Sequence, residues 1–254
     1  MHVVVVHKVN SENSYYNVNI ENHSQCMVHF HLITLFPESI EPYLKSSILG
    51  RALEKKKINI TFYNPKDFIG VAKGKARVQD VRVDRRPYGG GPGMVLRPEP
   101  LLRAAQTAIG KKRGVDVIFF STDGEQFTEE MAQTLAGLKP GKRGTRHIVF
   151  ICGHYEGVDA RVPKILKARH ISIGPYVLTG GELPAVVTID AIARFIPGVL
   201  GKAESLESSR IASPEVYTRP DALKWKGKEY SVPQVLKSGH HGKIEEWKKN
   251  TLKK

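Results

Sequence analysis

An α/β fold on a mainly parallel sheet is what this chain predicts, and three observations predict it. Short apolar runs alternate with helix-like segments from residue 28 to residue 195. The runs are apolar on successive positions, as strands covered on both faces are. The chain has 254 residues, 41% of them apolar, enough to bury a sizeable core in one large domain or two smaller ones.

The elements follow in order. Val28 to Phe36 is apolar enough for a central strand. Pro37 opens a helical stretch to about Tyr43, and Ser46 to Lys57 reads as a second helix. Ile58 to Tyr63 is the next strand, rich in β-branched and aromatic residues. Residues 70 to 93 form a long basic, glycine-rich loop, and structureless stretches of that length inside a domain are usually functional or disordered. Pro98 starts a helix through Leu101, Leu102, Ala105 and Ile109. Val115 to Phe120 is a strand. Thr128 caps a helix to Leu138 that sets Met131 and Leu135 on its apolar face. His147 to Cys152 is a strand, Asp159 to Lys167 a helix, and Ile171 to Ile173 the last strand. A helix from about Pro184 to Phe195 ends at Pro197.

Between that last strand and helix lies a loop with Gly174, Pro175, Gly180 and Gly181. Glycine lets backbone approach a ligand or another chain segment closely. The loop matches neither G-x-G-x-x-G nor the P-loop pattern, so a standard dinucleotide or ATP site is not indicated. The competing reading is an ordinary strand-to-helix turn.

Composition narrows the function classes. A net charge of +14 favours a polyanionic partner, most simply nucleic acid. Two cysteines, Cys26 and Cys152, make neither a disulfide framework nor a metal-ligand cluster, and Cys152 reads as a buried thiol in a reducing cytoplasm. No apolar run approaches the roughly 18 residues that span a membrane. Residues 1–26 are polar after four valines and read as an extension that tolerates deletion or as an over-extended start. After Gly201 the composition turns polar, which marks 202–216 as a linker and 217–254 as a small, mostly helical basic domain. There Trp225, Tyr230 and Trp247 stand among lysines. Such interleaving suits phosphate contact with base stacking, or else two core tryptophans.

Five strings then point one way. They are VDRRPYGGGPGM (83–94), ICGHYEGVDARV (151–162), the loop and helix of 171–201, YTRP (217–220) and LKSGHHGKIEEW (236–247). In that order they resemble the bacterial tRNA (guanine-N1)-methyltransferases of the TrmD type, in the SPOUT superfamily, from about Met27 to Trp247. The resemblance implies a SPOUT-type trefoil-knotted parallel-sheet domain over 27–201, an exception to the rule against threaded loops. It implies a homodimer with active sites at the subunit interface and a cytoplasmic location. The methyl donor would be S-adenosyl-L-methionine and the acceptor N1 of the guanosine immediately 3′ of the anticodon. Magnesium is compatible with the family, but no dedicated site shows in the sequence, and His240 and His241 read as turn residues.

Carried over by position, the cofactor pocket comprises Phe119, Phe120, Ser121, Thr122, Gly153, Glu156, Ile173, Gly174, Pro175, Tyr176, Val177, Leu178, Gly180 and Gly181. Glu156 would pair with a cationic part of the cofactor, its alternative being a turn carboxylate. Gly180→Val and Gly153→Val are both expected to abolish cofactor binding. Arg194 resembles the family arginine that holds charge developing on guanine O6, a task suited to a delocalised guanidinium. Asp84, Arg85, Arg86, Tyr88 and Arg219 would meet tRNA.

The chain departs from the family at the linker. Typical members carry an Asp–Ser pair there, the aspartate being the proposed general base. Here KAESLESSRIASPEVYTRP has no aspartate between Asp190 and Asp221. Glu207, before Ser208, is the expected replacement, with Glu204 behind it and two solvated linker carboxylates as the alternative. The chain also stops at Lys254, where typical members continue. These departures motivate a second reading, an impaired homologue that binds cofactor or RNA without methylating. A third, a ribose-methylating SPOUT enzyme, fits the YTRP and GHH strings poorly.

Overall fold

A computed structural model of the chain describes residues 27–69, 82–137, 144–200 and 215–251. They fall into two compact units, divided after Gly201.

The larger unit is built on a five-stranded sheet in the order β2-β1-β6-β5-β7, and every neighbouring pair is parallel. Its strands are β1 (Met27–Ile33), β2 (Ile58–Tyr63), β5 (Asp116–Gln126), β6 (Thr145–Ile151) and β7 (Arg169–Ser172). The helices between them are α1 (Glu41–Leu44), α2 (Ser47–Glu54), α3 (Pro98–Ile109), α4 (Glu129–Ala136), α5 (Arg161–Leu166) and α6 (Glu182–Arg194). Alternate residues of each strand feed opposite faces. Val28, Phe30, Leu32, Ile148 and Phe150 pack under α1, α2, α4 and α6. Ile33, Val149 and Ile151 pack under α3 and α5. The predicted alternation and the parallel sheet are therefore present.

Boundaries differ for local reasons. The stretch from Pro37 is not one helix: a 3-10 turn, Pro37–Ser39, precedes the four-residue α1. Thr128 caps α4 as expected, its hydroxyl accepting from the Met131 N–H at 3.3 Å. The long loop carries a two-stranded antiparallel pair the sequence did not announce, β3 (Asp84–Arg85) with β4 (Val95–Leu96). Strand β5 continues six residues past Phe120, its predicted end. Phe120 and Glu125 both stand opposite Ile171, so residues 121 to 124 are left out of the ladder. Gly124 makes the return possible: a Cβ there would sit 2.6 Å from the Ile171 nitrogen.

The smaller unit opens with a β-hairpin, β8 (Ala222–Trp225) and β9 (Lys228–Ser231), and then forms α7 (Gln234–Lys237) and α8 (His241–Thr251). The expectation of a mostly helical domain missed this hairpin. Its signal is Lys226-Gly227, both in left-handed backbone, the two-residue turn that matches strand twist. Trp225 is exposed, whereas Trp247 is half-buried with its ring 6.3 Å from that of Tyr217. One tryptophan is thus available at the surface and the other packs.

Candidate active site

Chain segments leaving the carboxyl ends of β1, β5, β6 and β7 gather along one edge of the sheet, where open α/β sheets carry their ligands. Strand β1 leads to β2 on one side, while the chain leaving β6 crosses to β7 on the other, so the two connections part where β1 and β6 end. At that switch point the Cys152 N–H donates to the Ile33 carbonyl at 3.0 Å.

The glycine loop docks here. Gly180 bridges His154, and the Gly181 N–H donates to the Gly153 carbonyl at 2.8 Å. A Cβ on Gly181 would lie 2.7 Å from Cys152 Cα, and one on Gly180 would collide with the Glu182 carboxylate and stand 2.9 Å from His154 Nδ1. Both glycines are therefore demanded by close approach of the chain to itself. Gly153 differs: its Cβ would meet only the Val158 methyl at 3.4 Å and the Phe119 ring at 3.9 Å, ordinary contacts. The two glycines thus differ in what a side chain would meet within the protein. Upstream, the Tyr176 ring covers Gly174, and its hydroxyl donates to the Ile173 carbonyl at 3.1 Å. Pro175 to Leu178 are exposed, and among the described residues the backbone of Val177 and Leu178 makes no protein hydrogen bond.

Three residues that the sequence reading passed over hold this junction. Glu182, the first residue of α6, is buried and accepts from the Thr34 hydroxyl at 2.7 Å. Its second oxygen lies 4.0 Å from His154 Nδ1, a buried nitrogen without a hydrogen-bond partner among the described residues. A carboxylate at a helix N-terminus is favourably placed against the peptide dipoles. The helix was expected from Pro184, which hid Glu182 as its first residue. Cys152 is buried as expected, and burial, then the nearby Glu182, pushes its thiol well above the usual range. Thr34→Val should leave a buried carboxylate oxygen short of its donor. It should cost about 1–3 kcal/mol in urea unfolding, and an unchanged midpoint would show that Glu182 is held by something else.

The neighbouring loop is tied to the same place. The Glu156 N–H donates to the Met94 carbonyl at 3.0 Å and the Leu96 N–H to the Gly157 carbonyl at 2.9 Å. Gly93, in left-handed backbone, lies against the exposed Glu156 side chain, where any Cβ would strike the carboxyl group. The structure thus brings together the two loops that the sequence assigned separately to cofactor and to tRNA. Within the second, Arg85, Arg86 and Tyr88 are exposed. Asp84 is buried and paired with Arg82 at 3.0 Å, so its carboxylate shapes the loop. Within β5, where residues 121 to 124 leave the ladder, the Ser121 hydroxyl bonds the Asp123 carboxylate, fixing the segment that follows Phe119 and Phe120.

Arg194 closes α6, half-buried. It shares a helical stripe with Leu183, Val187 and Asp190, and Leu183 and Val187 are 57% and 48% exposed. Arg194 therefore stands on the same stripe of α6 as two exposed apolar side chains. Glu204 and Glu207 lie outside the described residues. In the smaller unit, Arg219, Lys224, Lys226 and Lys228 are all exposed.

Comparison with known proteins gives the family. The sequence model of the family described as tRNA (Guanine-1)-methyltransferase TrmD matches residues 28–254. A tRNA (guanine-N(1)-)-methyltransferase of Buchnera aphidicola is 40% identical over 232 residues, 90% of this chain and 91% of its own. Enzymes of the same name are 44% identical in Staphylococcus epidermidis, over 85% of this chain and 82% of theirs, and 43% identical in Brevibacillus brevis, over 85% and 83%.

Proposed function

We infer the reaction from the family to which the chain belongs, tRNA (Guanine-1)-methyltransferase TrmD: this protein methylates N1 of the guanosine immediately 3′ of the anticodon in tRNA. The observation that carries the reading is the junction of the 174–181 loop, the 153–157 loop and the 84–94 loop at one sheet edge. The donor is S-adenosyl-L-methionine, which supplies a methyl group already activated on a sulfonium.

The residues present fit that group. Gly153 has space where a side chain would stand, and Val177 and Leu178 offer uncommitted backbone N–H and C=O groups to a purine edge. Phe119, Phe120, Ser121 and Thr122 of β5 border the same space with Ile173, Gly174, Pro175, Tyr176 and Gly180 on the loop that follows β7. Gly181 holds the loop down. Glu156 faces the cationic side of the ligand. Arg194 holds charge on guanine O6 as Glu207 takes the N1 proton. Arg85, Arg86, Tyr88 and Arg219 grip the nucleic acid, with the exposed lysines of the hairpin adding phosphate contacts.

A homodimer completes the site. Leu183 and Val187, exposed on the stripe of α6 that carries Arg194, form an apolar surface, and such patches mark interfaces. The close packing of Gly181 on the end of β6 supports a chain threaded as a SPOUT knot, with 27–201 as the cofactor domain, 202–216 as linker and 217–254 as the tRNA-gripping domain. No helix among the described residues is long and apolar enough to cross a membrane, and the proposed substrate places the enzyme in the cytoplasm.

The test is methyl transfer to unmodified tRNA, comparing a transcript with guanosine 3′ of the anticodon against one with adenosine there. Product N1-methylguanosine from the first alone is expected. Binding of tRNA should weaken steeply as salt rises, through counterion release from phosphates. Cofactor and tRNA binding without transfer would instead favour the impaired homologue.

A further inference from the structure

Three histidines far apart in sequence meet on the sheet, away from the loops just described. His29 and His31 are alternate residues of β1 and share a face, and His147 of β6 stands directly opposite His29. The His29 and His31 rings stack at 4.0 Å, and His147 lies 5.5 and 5.3 Å from them. One ring nitrogen from each falls within 4.8 Å of the others. His31 Nε2 and His147 Nδ1 are 3.1 Å apart, close to the separation of about 3.4 Å between two nitrogens on one tetrahedral zinc ion.

We propose that His29, His31 and His147 bind one divalent transition-metal ion of the zinc class, leaving its fourth position to water and fastening β1 to β6. Imidazole donors suit zinc, cobalt, nickel and copper, and three of them with an open position is a recurrent zinc set. A supporting shell is in place. Tyr63 Oη lies 3.0 Å from His31 Nδ1, so that nitrogen can keep its proton and leave Nε2 for the metal. Thr61 Oγ1 at 2.8 Å and Asn59 Nδ2 at 3.3 Å from His29 Nε2 hold that ring in place.

Burial, followed by the neighbouring histidines and Lys112, lowers His29 to about 4 and His31 to about 3, and burial with Lys112 lowers His147. Lys112 itself is turned to the end of α3, its ammonium donating to the Ala108 carbonyl at 2.9 Å. His31 is fully buried, whereas His29 and His147 are half-buried and give the ion a route in.

The experiment is titration of the full, chelator-treated chain with Co2+ and then Zn2+. One Co2+ per chain should give the intense visible bands of four-coordination, Zn2+ should displace it, and both should raise Tm. His29→Gln and His147→Gln, chosen because neither residue is fully buried, should weaken the site by on the order of a hundredfold. The double change His240→Ala with His241→Ala should leave it intact. Failure of the unaltered chain to take up Co2+ or Zn2+ at micromolar concentration would overturn the proposal. So would stoichiometric binding that survives in both glutamine variants while they remain folded by circular dichroism.

Discussion

Gly180→Val should cost the enzyme its S-adenosylmethionine, with affinity falling on the order of a hundredfold or more, about 2.7 kcal/mol. The new Cβ would enter the space of the Glu182 carboxylate and come within 2.9 Å of His154 Nδ1 and 3.3 Å of the Gly153 carbonyl. Glu182 cannot swing clear cheaply, because Thr34 holds it and its surroundings are buried. The loop must lift off β6 instead, carrying Val177 and Leu178 with it. Overpacking of this kind typically costs about 1–3 kcal/mol, so the variant should also melt earlier. Gly153→Val should lose affinity for another reason. Its Cβ finds ordinary contacts within the protein, so the bulk falls on the space left for ligand. It should therefore keep more of its stability than the Gly180 variant. Calorimetry with thermal melts separates the two, and unchanged affinity in both would refute the pocket.

What the sequence could show, and what it could not, follows from the range of the forces involved. Helix α3 was legible to its ends because Pro98 starts it and an apolar stripe fills it. The parallel sheet was legible because its strands are apolar on both faces. Strand β5 was read short because Ser121 to Gly124 are polar and small. Only contact with β7 reveals that the strand resumes. Glu182 was missed for a similar reason: an acidic residue after two glycines reads as loop surface until Thr34, 148 residues away, is seen to cover it. The three histidines gave no spacing signal, since β1 and β6 are adjacent only through the sheet order. The glycine loop was the opposite case. Gly174, Gly180 and Gly181 could be marked from sequence because glycine's absent side chain is itself the requirement.

Arg194→Ala should slow single-turnover methylation by on the order of a hundredfold to a thousandfold while leaving cofactor affinity nearly intact. Guanine N1 is a poor nucleophile until its proton departs, and the charge left behind shifts towards O6. A guanidinium held there stabilises the transition state more than the ground state, so its loss should appear in the rate of transfer rather than in binding. Arg194 is suited to this by position, at the end of α6 on a stripe with exposed Leu183 and Val187; a partner subunit covering that stripe would exclude water and make the charge count for more. Arg194→Lys keeps the charge but loses the planar fork, and should recover only part of the rate. The proton itself needs a base. With no aspartate between Asp190 and Asp221, Glu207→Gln should cost on the order of a hundredfold, while Glu204→Gln should do little. Because arginine and base serve one proton transfer, the double variant should lose far less than the product of the two single losses. Full multiplication would mean that the two groups act in separate steps. Normal rates in both glutamine variants would return the linker carboxylates to the solvent and leave proton loss to water.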